Sequence, residues 1–108
     1  MNNTYQERDV FVAIADPTRR KLIRLLAEVE ELPLHELTPH FQIGRTAVSK
    51  HLAILREADL VTNRKLGRET RYRINASPLR EIKDWVSFYE KFWTDKVALL
   101  RNLLEEEE

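Results

Sequence analysis

The sequence predicts a single, mainly α-helical domain with one small β-hairpin and a long C-terminal helix. Three observations carry this. Apolar residues recur at helical spacing in several short segments before residue 58 and in one long segment after residue 78. Between Leu60 and Ile74 the period changes to partial alternation, with a glycine between the two halves. The 108 residues include only two Gly and four Pro, so nothing reads as a linker, and a chain this short has room for one modest core.

Each element follows from local chemistry. A first helix is expected from Thr4 to Ala15, with Val10, Phe11 and Ile14 at helical spacing. Asp16-Pro17 ends it and opens the next, since Asp is a good N-cap and Pro suits the first helical position. The second helix runs from Pro17 to about Val29 on a stripe of Leu22, Ile23, Leu25 and Leu26. After a break at Glu30–Pro33, Leu34 and Leu37 begin a brief third helix ending near Phe41. Gln42-Ile43-Gly44 makes a tight connection to a fourth, from Arg45 to about Ala58. There Val48, Leu52 and Leu55 repeat at i, i+4 and i+7, so Thr46, Ser49, Lys50 and Ala53 face the other way. Leu60–Leu66 and Thr70–Ile74 read as two strands around Gly67-Arg68. Ser77-Pro78 reads as an N-cap followed by Pro at the first position of a helix reaching about Leu104.

The zero net charge hides an asymmetry. Residues 1–16 carry a net −2, residues 17–44 balance, residues 45–80 carry +6 and residues 81–108 carry −4. Basic charge therefore concentrates on the fourth helix and the hairpin, which points to a polyanionic partner. The absence of cysteine leaves no disulfide framework, thiolate metal site or cysteine nucleophile. No apolar run approaches a membrane span, and Met1–Val10 lacks a signal-peptide apolar region, so a soluble cytoplasmic protein is expected. No phosphate-binding glycine loop, Ser-His-Asp order or metal-ligand spacing appears, so no catalytic residue is named and no enzyme is expected.

The elements assemble into a winged helix-turn-helix spanning residues 1–108. Residues 34–58 form the helix-turn-helix and residues 60–74 the wing. A reading helix needs one apolar face to hold it on the domain and an opposite face of short polar or basic side chains that fits the major groove. Arg45, Thr46, Ser49 and Lys50 meet that need and are expected near base edges. His51, beside the core stripe, has two readings: a phosphate contact, or a hydrogen bond to a neighbouring helix. Lys65, Arg68 and Arg71 on the hairpin would meet phosphates or the adjacent minor groove. Arg19 could contact phosphate or pair with a carboxylate. His35, Glu36 and His40 suggest a metal cluster, but their spacing does not stack two ligands on one helix face, and exposed helix residues are the better reading. The rings of Trp85, Phe88, Tyr89, Phe92 and Trp93 spread over more than one helix face, more than a small core needs. They read as a dimer surface, with a pocket at that interface as the lesser alternative.

Three stretches carry a family resemblance: Ala15-Asp16-Pro17-Thr18-Arg19-Arg20, Thr46 to Val61, and Gly67-Arg68 to Tyr72. In order and spacing they resemble the ArsR family of bacterial transcriptional regulators, over nearly the whole chain. The resemblance implies a homodimer that binds a double-stranded DNA operator and usually represses. It also implies that the first and last helices, residues 1–16 and 78–104, form most of the dimer interface. Phe11 and the five terminal-helix aromatics would lie there. Metal-sensing members carry a Cys-x-Cys element where this chain has Pro33 and His35, and another family site needs terminal-helix histidines that residues 77–108 lack. No metal or cofactor is therefore expected, and the effector is left open. The alternatives are a small-molecule or metal-responsive sensor on the same fold, and a winged helix that binds protein.

Overall fold

The computed structural model describes residues 9–106. In chain order these form α1 (Val10–Ala13), α2 (Pro17–Ala27), β1 (Leu32–Pro33), α3 (Leu34–Leu37) with a 3-10 turn (Thr38–His40), α4 (Arg45–Glu57), β2 (Val61–Leu66), β3 (Glu69–Ile74), α5 (Leu79–Phe88) and α6 (Glu90–Glu106). The part of the expected first helix before Asp9 lies outside the described residues. No helix among the described residues is long and apolar enough to cross a membrane.

The helix starts follow their capping chemistry. The Asp16 carboxylate accepts the Arg19 backbone N–H at 3.1 Å, and Pro17 occupies the first turn of α2. Asp9 caps α1 in the same way, accepting the Phe11 N–H at 2.8 Å. The Val48, Leu52 and Leu55 side chains of α4 are fully buried, as are Leu22 and Leu26 of α2, Leu37 of α3, and Leu60 and Val61 after α4; Tyr72 of β3 is buried with them. α4 ends in a Schellman turn. The Leu60 N–H reaches back to the Leu55 carbonyl at 3.0 Å, and the Asp59 N–H to that of Arg56 at 3.0 Å. Asp59 holds the left-handed position at φ +60°, and the buried pair Leu55 and Leu60 completes the motif. The hairpin pairs Val61 with Ile74 through Leu66 with Glu69. Its two-residue turn begins at Gly67, whose φ of +63° a side chain would strain.

Four expectations need correction. The break before α3 contains β1, which pairs Leu32 with Tyr72 and Pro33 with Arg71, so the sheet has three strands in the order β1-β3-β2. Pro33 is tolerated because β1 is an edge strand. The third helix stops being α-helical after Leu37, because Pro39 has no N–H to donate to the His35 carbonyl. The Ser77 side chain does not cap α5; the first turn forms from the Leu79 N–H to Ala76 and the Arg80 N–H to Ser77. The long terminal helix is divided at Tyr89, whose N–H bonds to Val86 at 2.9 Å in a tightened turn. At this turn Tyr89 meets Phe88 edge-on at 5.0 Å and stacks on Phe92 at 6.2 Å.

Relieving the left-handed aspartate gives a test of the α4 terminus. Asp59→Gly should stabilise the fold by about 0.5–1 kcal/mol in urea denaturation, because the Asn75 amide bonds the residue-59 carbonyl and not the lost side chain. An unchanged midpoint would show that the position carries no strain.

Candidate nucleic-acid interface

The second face of α4 is set by the first. With Val48, Leu52 and Leu55 in the core, Arg45, Thr46 and Lys50 are exposed and Ser49 is half-buried. Gly44 precedes the helix and offers no side-chain cap, and the first turn has no acidic residue. The first intrahelical bond is Val48 N–H to Gly44 O at 3.0 Å, so the Arg45, Thr46 and Ala47 amides are left for an outside acceptor. Helix-terminal amides of this kind favour phosphate. Neither Arg45 nor Lys50 has an ion-pair partner among the described residues. Gln42 and Ile43 lie exposed in the preceding turn, a position the sequence reading treated only as a connection.

The wing is less uniform than its sequence. Lys65 and Arg68 near its tip are exposed and have no ion-pair partner among the described residues, and neither does Arg73, which the sequence reading did not single out. Arg71 is held inward. Its Nε donates to Glu31 at 2.8 Å and its Nη1 to Glu69 at 2.8 Å. Arg64 grips the same Glu31 carboxylate with Nε at 3.1 Å and Nη2 at 2.6 Å. Arg64 and Arg71 are direct cross-strand partners, and like charges so placed repel. Glu31, just before β1, bridges them. The Arg64 hydrogen bonds hold the Glu31 carboxyl at about 2, against a raising effect of burial and with further help from Arg71.

His51 and Arg19 meet each other. The Arg19 Nη1 lies 3.2 Å from His51 Nδ1, while Nε donates to the Ala13 carbonyl at 2.7 Å and Nη2 to Val12 at 3.3 Å. Arg19 thus closes the C-terminal end of α1, a role neither of its sequence readings named. Asp16 Oδ1 stands 4.0 Å from His51 Nδ1. Burial raises the Asp16 pKa, but the Arg19 backbone N–H and the nearby His51 and Arg19 bring it below the usual value.

The terminal aromatics form a separate surface. Trp85, Phe88, Phe92 and Trp93 are each more than half exposed. The half-buried Phe11 meets Trp85 edge-on at 5.8 Å, and Trp85 meets Tyr89 at 5.2 Å. An open hollow of about 530 Å³ is lined by Trp85, Val86, Tyr89, Phe92 and Trp93. Leu99, Leu100, Leu103 and Leu104 continue the exposed apolar surface along α6. His35 Nε2 lies 3.9 Å from Glu36 and 3.8 Å from Glu69, but among the described residues no three His, Cys, Asp or Glu gather as a metal site would need.

A helix anchored by leucines on one face, with an open N-terminus and short polar side chains on the other, beside a basic hairpin, defines a winged helix-turn-helix DNA-binding protein. Comparison with known proteins agrees. The family described as "Bacterial regulatory protein, arsR family" matches residues 16–63. The transcriptional repressor SdpR of Bacillus subtilis is 33% identical over 72% of this chain and 86% of its own length. The arsenical resistance operon repressor of Escherichia coli is 35% identical over 87% and 81%. An ArsR-like transcriptional regulator from Rhodococcus sp. RHA1 superimposes with a TM-score of 0.69 at 28% identity, covering all of this chain and 99% of the other. The chain belongs to the ArsR family, whose members are DNA-binding transcriptional regulators.

The Glu31 bridge makes the wing sensitive to acid. Since the folded-state pKa is depressed from 4.5 to about 2, the bridge is fully present above about 4.5 and is lost as pH falls toward 2. Glu31→Gln should melt below wild type at neutral pH, with the gap closing through that window. A gap that stays constant with pH would contradict the bridge.

Proposed function

We propose that the protein is a homodimeric repressor that binds a pseudo-palindromic operator through two symmetry-related copies of α4. The observation carrying this is the two-faced α4, fully buried on its leucine side and polar, basic and open at its N-terminus on the other. In this reading Arg45, Thr46, Ser49 and Lys50 meet base edges, while Lys65 and Arg68 meet flanking phosphates. Arg71 and His51 are left out of the contact set because both have inward partners. Residues 1–108 act as one domain, with Phe11, Trp85, Phe88, Tyr89, Phe92 and Trp93 against the second copy. Exposed apolar surface on this scale supports a partner rather than bare solvent. The reading contains no catalytic step and places the protein in the cytoplasm with the chromosome. Two of the relatives described above are repressors, one of an arsenical resistance operon. With no cysteine, this chain has no thiolate for a soft metal or arsenical.

Fluorescence anisotropy on duplexes enriched by the wild-type protein from a random-sequence pool tests the reading. Lys50→Ala should cost about 1–3 kcal/mol and relax base preference at one position in each half-site. Arg68→Ala should weaken binding to all sequences alike and lower the salt slope by about 1 for each copy of the wing. If both variants bind as tightly as wild type, α4 and the wing are not the interface. Trp93→Glu should shift the dimer toward monomer in sedimentation equilibrium, and an unchanged association constant would remove the terminal helix from the dimer surface.

A further inference from the structure

We infer that Arg19 and His51 are a positioning pair that fixes the rotation of α4 about its own axis, and with it the operator's sequence preference. The inference rests on α4 being the reading helix. The leucine stripe holds the helix on the domain, but apolar burial is non-directional and tolerates a small roll. A hydrogen bond to a ring nitrogen is directional and does not. His51 follows Lys50 directly and sits two residues after Ser49, so its ring anchors the turn that carries two of the proposed base-reading side chains.

The anchor is itself fixed. Every nitrogen of the Arg19 guanidinium is engaged: Nε on the Ala13 carbonyl at 2.7 Å, Nη2 on that of Val12 at 3.3 Å, and Nη1 against His51 Nδ1 at 3.2 Å. The two carbonyls belong to the end of α1; that of Val12 also accepts the Ala15 N–H at 3.1 Å, while that of Ala13 is left for the guanidinium. Asp16 caps α2 through the Arg19 backbone N–H and stands 4.0 Å from the same ring nitrogen. One side chain therefore ties α1, α2 and α4 together. As an acceptor from a guanidinium, Nδ1 carries no proton, which puts the ring proton on Nε2. The contacts also continue outward, because Phe11 of α1 packs edge-on against Trp85. The orientation of α4 is thereby referred to the aromatic surface proposed for the second copy.

Two substitutions separate positioning from the phosphate contact that the sequence also allows. His51→Asn places an amide oxygen close to where Nδ1 lies and lacks Nε2, while His51→Leu keeps bulk and loses both nitrogens. Each would be measured on the duplex that wild type enriches from a random-sequence pool and on a scrambled duplex of the same composition, across a salt series. Thermal melts would confirm folding. The pair predicts that His51→Asn keeps the wild-type ratio of the two affinities. It predicts that His51→Leu lowers the ratio about tenfold with the salt slope unchanged. Arg19→Lys should lower the ratio in wild type but have no further effect in the His51→Leu background. The inference is overturned if both His51 variants keep the full ratio. It is also overturned if both weaken binding to either duplex with a shallower salt slope, since that marks a phosphate contact through Nε2. If Lys50→Ala leaves the preference intact, or wild type enriches no sequence, the reading of α4 fails first and takes the inference with it.

Discussion

The structure turns on three side chains, Val48, Leu52 and Leu55, on one face of a thirteen-residue helix. Each is fully buried, and each such burial contributes about 1.5–3 kcal/mol relative to exposure. Their partners come from every neighbouring element: Leu22 and Leu26 behind, Leu37 from the preceding helix, Leu60 and Val61 from the chain that follows. Because this face is committed to the core, the other face must be the outer surface of the domain. The Schellman turn at Asp59 then sends the chain straight into β2, which sets the wing beside α4. Core and outer surface are two sides of one helix.

Electrostatics shape the rest. The hairpin register puts Arg64 across from Arg71, an arrangement that repels on its own. Glu31 resolves it by receiving both guanidinium groups, and Glu69 takes the remaining side of Arg71. The charges midway along the wing are thereby neutralised, while Lys65 and Arg68 nearer its tip keep their charge toward solvent. A similar division separates His51, which is held by Arg19, from its neighbour Lys50, which is exposed.

Much of this was legible in the sequence, for local reasons. The i, i+4, i+7 stripe of α4, the Asp16-Pro17 cap and the Gly67 turn depend on residues a few positions apart, and each stands where the pattern put it. Other features depend on partners that no local pattern connects. β1 is two residues long and includes a proline, and it becomes a strand only through pairing some forty residues onward. Arg71 and Arg64 look like further wing cations until Glu31, 40 and 33 residues away in sequence, is seen between them. The partner that His51 has within the fold, Arg19, lies 32 residues earlier, so no local pattern points to it. The break at Tyr89 has neither Gly nor Pro to announce it, and it falls where aromatic rings crowd one turn.

In the proposed arrangement DNA meets the outer face of α4 and the wing tip, while the aromatic surface of α5 and α6 faces a second copy. Backbone amide shifts in a titration with the enriched duplex distinguish the two surfaces. The largest changes should fall on residues 42–50 and 65–68, with α6 nearly unmoved. Large changes concentrated on α5 and α6, with the first turn of α4 unaffected, would contradict it.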